Sequence, residues 1–250
     1  MISYVLAIYL LLIVNSCKAL PEEIKKCRFG DDKCIVESIN DIIGKYPKGI
    51  PEIGIKPIDV VDIKDTELLK TDRTGVYWAA VKLINQVNYG FENTTITSVE
   101  GFEKNPTASQ IVISGRIPTL VHKGTLDANI RIWWVQLNQT CKSISEFHNM
   151  YFTLTLKVSL EFRNNKRYLK IYELSPTVKI DRWILEIESL FKENTDLTIF
   201  LNRLFNQRWT EIWNEWEPRI LDTFASVFIG MIKDTFNQIP YDDLFLPDDN

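Results

Sequence analysis

The side chains with reactive chemistry are few and badly spaced for catalysis. The two histidines, His122 and His148, are neither neighbours nor a metal-binding pair. There is no Gly-x-Ser-x-Gly elbow, phosphate loop, Gly-x-Gly-x-x-Gly turn or His-Glu-x-x-His helix, so no activated nucleophile, cofactor cradle or metal centre is predicted. His122 precedes Lys123-Gly124, a dipeptide that reads as a turn, and His148 precedes a strand-like segment; both are expected at the surface. Adjacent Asp242 and Asp243 could imitate a pair of catalytic carboxylates. Cys17, Cys27, Cys34 and Cys141 could cross-link or bind metal, but no histidine lies near the Cys27 to Cys34 loop to complete a zinc set. The chain is therefore expected not to be an enzyme.

What positions side chains in this protein is a long helix and a sheet. From Leu197 the large apolar residues recur at helical spacing through Leu201, Leu204, Phe205, Trp209, Ile212, Trp213, Trp216, Ile220, Phe224, Phe228, Met231, Ile232 and Phe236. A stripe of about forty residues corresponds to a helix roughly 60 Å long, which needs an equally long cover. Pro218 lies inside the stripe without breaking its phase, so a bent but continuous helix is expected, reaching about Phe236. Before it, residues 76–84, 93–99, 110–117, 125–135, 151–162 and 168–180 are rich in Val, Ile, Thr and aromatics. Phe152, Leu154, Leu156, Val158, Leu160 and Phe162 alternate with polar residues, predicting a sheet with one buried face, and Asn164-Asn165 supplies a hairpin turn. The fold class is α+β: a long, curved antiparallel sheet wrapped around one long C-terminal helix, with a short N-terminal helix over residues 35–43.

Residues 4–14 form an apolar run of about ten residues, too short to span a bilayer, followed by Cys17-Lys18-Ala19. Residues 1–19 are read as a secretory signal peptide and 20–250 as one domain, with no linker composition between and an acidic end at Asp248-Asp249-Asn250. The chain has 29 basic and 33 acidic residues; without the leader the balance is 28 against 33, a net charge of −5. That mild acidity counts against nucleic acid or an anionic membrane as the main partner, and no stable membrane insertion is expected. The cluster Arg163, Lys166, Arg167 and Lys170 reads as a solvated hairpin tip. Sequons begin at Asn93 and Asn138, marking both as candidate glycosylation sites and their faces as water-facing.

Three blocks resemble the insect haemolymph juvenile-hormone-binding and takeout family. The C-terminal block is Asn206-Gln207-Arg208-Trp209 with Ile239-Pro240-Tyr241-Asp242-Asp243-Leu244-Phe245; the second is GIPEIGIKPIDVVDI, residues 49–63, with Val60 in place of a proline usual in the family; the third is Cys27 with Cys34. The resemblance implies a super-rolled lipid-binding fold with an elongated apolar tunnel beside the helix, and makes Asp242 and Asp243 part of a tail that anchors the helix end. It implies, in an oxidising compartment, a Cys27–Cys34 disulfide; Cys141 is left as a buried or free thiol unless Cys17 is retained.

Under this resemblance the chain is expected to be a secreted extracellular carrier that encloses a juvenile hormone, another terpenoid or a fatty acid, with no cofactor. Candidate tunnel walls are Trp78, Trp133, Trp209, Trp213, Trp216, Ile220, Phe224 and Phe228, since stiff aromatics bury much area at low entropic cost. The plain alternative is that the aromatic stripe only fills core. The alternatives for function are a takeout-like secreted protein acting on a receptor in feeding, chemosensory or circadian output, and a membrane-surface lipid binder.

Overall fold

The computed structural model describes residues 20–73 and 77–247. The expected leader with Cys17, Val76 at the start of one expected strand, and the acidic end fall outside them.

Helix α1 spans Asp32–Lys45 and begins where the Asp31 side chain accepts a hydrogen bond from the Cys34 backbone N–H. The strands are β1 (Val61–Ile63), β2 (Thr66–Lys70), β3 (Tyr77–Tyr89), β4 (Thr95–Glu100), β5 (Ile111–Ile132), β6 (Val135–Arg163), β7 (Lys166–Lys179) and β8 (Arg182–Ile187). Helices α2 (Thr195–Gln207) and α3 (Trp209–Gln238) follow.

All eight strands form one antiparallel sheet with backbone order β1-β3-β5-β6-β7. Short strands lie end to end beside the long ones: β1 and β2 along β3, β3 and β4 along β5, β7 and β8 along β6. β5 and β6 pair from Ile132↔Val135 to Ile111↔Leu156, making a hairpin that runs the length of the molecule. Helix α3 packs on β7 and β8 at one margin and on β2 at the other, so the curled sheet closes around it.

Two irregularities change which side of a strand looks inward: a β-bulge at Asn85 on β3, and a kink at Asn149 on β6 that leaves the register with β5 unshifted. On β6, Cys141, Ser143, Ser145 and Phe147 are buried; Asn149 then takes φ 50°, and beyond it Met150, Phe152, Leu154, Leu156 and Val158 are buried instead. Asn85, with φ 51°, does the same on β3: Val81 faces the core before it, Gln86 and Asn88 after it. Pro118 lies opposite Asn149, a position left unpaired between Ile117↔Met150 and Thr119↔His148 in an otherwise unshifted register, so its missing N–H breaks no ladder bond.

Several elements differ from the sequence expectation. The gap expected at 118–124 is continuous strand, because Lys123 and Gly124 pair with Ile144 and Ser143 rather than turning. The inward alternation on β6 ends before Phe162, which is 71% exposed beside the hairpin turn. That turn is at Asn164-Asn165, with φ of 51° and 60°, the conformation that asparagine tolerates best among non-glycine residues. The C-terminal stripe is two helices: the break is at Arg208 (φ −109°, ψ 25°), while α3 continues through Pro218 to Gln238.

The break has a visible cause. Asn202 and Asn206, one helical turn apart on α2, each exchange two hydrogen bonds with the edge of β8: Asn202 with the N–H and C=O of Ile187 at 2.9 and 2.8 Å, Asn206 with those of Leu185 at 2.9 and 2.7 Å. Helix α2 is thereby tied along the strand, while α3 turns into the curl of the sheet. Asn40 of α1 does the same to Ile96 of β4, at 2.9 and 2.8 Å. Three asparagines thus cover strand edges that would otherwise offer unpaired backbone.

The Cys27–Cys34 disulfide is formed, with Cα atoms 5.7 Å apart, and Cys141 is a buried free thiol. The C-terminal tail returns to this loop: Leu246 N–H donates to Cys27 O at 2.9 Å, and Phe29 stacks on Phe245 at 4.2 Å. Tyr241, fully buried, donates to Glu103 O at 2.8 Å, and burial raises its phenol pKa.

Asp242 pairs with Arg167, and Asp243 with Lys166 at 2.9 Å. These carboxylates tie the tail to the β6–β7 hairpin. The basic cluster is therefore not simply solvated: Arg163 also caps the end of α3 by donating to Asn237 O at 3.1 Å.

Candidate functional site

Between α3 and the sheet lies an apolar cavity of about 60 Å³. Its floor is the inward face of β3, β5, β6 and β8, its far wall Ile63, Thr66 and Leu68 of β1 and β2, and its roof Trp216, Ile220, Thr223 and Phe224 of α3. Most of the lining is Leu, Ile, Phe and Trp. Polar side chains enter it along one band of the sheet.

That band follows from the bulge at Asn85 and the kink at Asn149. Asn88 is opposite His122, and His122 opposite Ser145, while Gly124 is opposite Ser143. Past Asn85 and before Asn149 these residues all face inward, and Gln86, Asn88, His122, Ser143 and Ser145 are all buried. Gln86 donates to the carbonyls of Lys64 and Leu83 and to Thr66 Oγ1 at 2.6 to 3.1 Å, and so is satisfied. His122 Nδ1 lies 2.8 Å from Asn88 Oδ1. Desolvation pushes the His122 pKa down to about 4, which keeps the ring neutral near pH 7. Of the described lining residues His122 alone is ionisable. Both histidines were expected at the surface; His122 is 7% exposed and inside, because Lys123-Gly124 is strand. His148 is half-buried on the outer face, 3.2 Å from Glu146.

The candidate walls separate into three groups. Trp216, Ile220 and Phe224 line the cavity. Trp213 is packed edge-on against Phe147 and Trp183 at 6.0 and 6.1 Å, Phe228 against Phe91 and Phe152 at 5.9 and 5.8 Å, and Trp209 lies under Arg182 at 5.9 Å. These last three are helix-to-sheet packing. Trp78 and Trp133 are elsewhere. Strand alternation puts Trp78 on the face opposite Val81, covered by Arg73 at 4.8 Å. Trp133 is 52% exposed at the β5–β6 turn, stacked on Trp134 and beside Tyr77, so its aromatic character serves the hairpin tip.

Sequence reasoning missed Trp183, Gln86, Asn88, His122, Ser143 and Ser145. For the polar residues only Asn85 and Asn149 carry the necessary signal, since without the change of inward parity at these two positive-φ residues simple alternation misplaces one part of each strand.

Beside the cavity a groove of about 1030 Å³ runs between residues 56–67 and α3, open to solvent. Ile63, Thr66 and Thr223 line both spaces. Thr66 Oγ1 and Thr223 Oγ1 are hydrogen-bonded at 3.2 Å across that boundary. β1 and β2 pair only with β3, so it is the helix, through side chains, that closes this margin. Among the described residues no group of three or more His, Cys, Asp or Glu could hold a metal ion, and no helix is long and apolar enough to cross a membrane.

A helix laid along the hollow of a curled antiparallel sheet, with an apolar cavity between them, defines the takeout class of fold. The chain belongs to the haemolymph juvenile hormone binding protein family, which it matches over residues 5–246. The crystal structure of Epiphyas postvittana Takeout 1 is similar, with a TM-score of 0.72 at 18% identity, covering 87% of this chain and 97% of that one. The circadian clock-controlled protein daywake of Drosophila yakuba is 18% identical over 235 residues, and that of Drosophila melanogaster 19% over 242; each match covers 93% of this chain and 90% of the relative.

Proposed function

We propose that residues 20–250 form a secreted, single-domain carrier that shields one elongated hydrophobic molecule from water between α3 and the sheet. The carrying observation is the cavity, walled mostly by apolar side chains and roofed by Trp216, Ile220 and Phe224. Burial is the driving force: each enclosed methylene contributes about 0.8 kcal/mol before the costs of association.

Small-molecule sites usually enclose about 300 to 1,000 Å³. The cavity of about 60 Å³ is therefore the site with α3 closed down, and uptake of a terpenoid or fatty chain moves α3 away from β1 and β2. Entry runs through the groove and past Thr66 and Thr223. Native mass spectrometry of the secreted protein, with organic extraction, tests the reading directly. A bound apolar small molecule supports it; failure of the delipidated protein to take up any of a fluorescent fatty acid, a terpenoid ester and a long-chain alcohol overturns it.

One observation favours a second reading, contact with a receptor or lipid surface. Trp134 is 81% exposed at the β5–β6 turn, with Trp133 and Tyr77 beside it. Co-sedimentation with neutral and anionic vesicles, lost in Trp134→Ala, would support the lipid form of that reading.

A further inference from the structure

Two buried polar atoms in the cavity wall have no hydrogen-bond partner among the described residues: His122 Nε2 and Trp183 Nε1. They differ in kind. Asn88 Oδ1 can only accept, so the short contact to His122 Nδ1 requires the hydrogen on Nδ1. The ring is neutral, being buried and without a carboxylate in the cavity, so Nε2 presents a bare lone pair. Trp183 Nε1 is a donor only. A buried acceptor and a buried donor, both unmet, thus belong to residues that line one mostly apolar cavity, where leaving them unpaired is destabilising.

The space beside the lone pair is built into the strand. A Cβ on Gly124 would lie 3.2 Å from His122 Nε2 and 3.4 Å from Gln86 Cγ, so glycine leaves open the position next to the nitrogen. Ser143 is directly across from Gly124 and Ser145 from His122, both buried on the same face. The Ser143 hydroxyl donates to Gly124 O at a long 3.5 Å, and either serine hydroxyl can rotate to donate to an oxygen placed there.

We infer that the cavity selects an aliphatic or terpenoid alcohol, whose hydroxyl proton is accepted by His122 Nε2 while its oxygen accepts from Ser143 or Ser145. Trp183 Nε1 is free to donate to a second oxygen function farther along the chain. An ester or hydrocarbon brings no donor and leaves Nε2 unmet. An ionised carboxylate finds neither Lys nor Arg among the described lining residues, and its burial without a counter-charge is strongly unfavourable. The inference rests on the carrier reading and narrows it from any apolar chain to one that ends in, or carries, a hydroxyl.

The test compares 1-dodecanol with dodecyl methyl ether, which keeps the oxygen and loses only the donor, on the delipidated secreted protein. One satisfied buried acceptor corresponds to about tenfold in Kd in favour of the alcohol. His122→Phe should abolish the ratio between alcohol and ether affinities, whereas His122→Gln, which retains an acceptor, should restore part of that ratio. If His122→Phe does not fold, nitrogen-15 NMR of the wild-type imidazole gives the same answer: the Nε2 resonance should move with dodecanol and not with the ether. Equal affinity for the two ligands, or an unmoved Nε2 resonance in the dodecanol complex, overturns the hydroxyl assignment and leaves the carrier intact. Binding of neither ligand overturns both.

Discussion

Asn206 and Leu185 exchange two hydrogen bonds, the carboxamide of a helix residue taking the place of a neighbouring strand's peptide group. The same amide also donates to Asn202 O at 2.8 Å, so Asn206 joins two turns of α2 to the sheet margin at once. Its place in the Asn-x-x-Trp segment has a physical meaning: the asparagine fixes α2 on β8, and Trp209, three residues on, starts the helix that enters the curl.

Asn206→Leu should leave the N–H and C=O of Leu185 unpaired and cost about 2 to 3 kcal/mol, read as a lower urea midpoint. Asn206→Asp retains the acceptor for Leu185 N–H and loses the donors, so it should fall between. An unchanged midpoint in the Leu variant would show that β8 needs no cover from α2.

Packing and lining should be separable on α3. Trp213→Ala removes a ring packed edge-on against the stacked Phe147 and Trp183 and should cost about 3 to 5 kcal/mol with little change in ligand preference. Trp216, half-buried over the cavity, already borders space; Trp216→Ala should cost less and shift the preferred ligand toward longer or bulkier chains. Parallel unfolding and binding measurements decide, and equal effects of the two substitutions on both would refute the distinction.

Acid should weaken the fold through His122. Its folded pKa is depressed from 6.5 to about 4, so between those values the unfolded chain binds a proton that the folded chain does not. Stability from this group is constant above pH 6.5 and is lost as pH falls through the window, on the order of 3 kcal/mol in full. In His122→Gln that part of the pH dependence should vanish from denaturant midpoints taken between pH 7 and pH 4.

Cys141 should be silent to thiol reagents until the protein unfolds, since it is buried beside Leu126 and burial raises its pKa. Labelling with and without urea, followed by peptide mapping, would show one reactive thiol in the unfolded chain from residue 20 onward and a Cys27–Cys34 linked peptide. Labelling of Cys141 at full rate in the native protein contradicts its placement.

A bulky side chain at the boundary of cavity and groove should slow exchange. Thr223→Phe is expected to lower the uptake rate of a fluorescent terpenoid ester several-fold, because Thr66 and Thr223 share the border of both spaces. Stopped-flow rates equal to wild type would move the entrance elsewhere.

What the sequence disclosed and what it hid follow from how local each signal is. The β6–β7 hairpin was legible because Asn164-Asn165 carries its own turn chemistry, and α3 because Trp213, Trp216, Ile220 and Phe224 repeat at helical spacing. The break at Arg208 was hidden because the apolar residues stay in phase across it; only the hydrogen bonds of Asn202 and Asn206 to a distant strand reveal it. Trp133 was misplaced because residue type reports appetite for burial and says nothing about location on a hairpin. His122 was misplaced because Lys123-Gly124 has turn composition, whereas its strand geometry is imposed by β6 pairing alongside.

The left-handed kink at Asn149 gives one continuous strand two interiors without shifting its register. Toward the β5–β6 turn its inward positions are odd-numbered and include Ser143 and Ser145; toward β7 they are even-numbered and include Phe152, Leu154 and Leu156. The two halves of β6 therefore do not share an alternation. Under the proposed carrier reading, exchanges among a few residues between 141 and 147 would retune the polar band, while the packed sheet wall beyond Asn149 stays as it is.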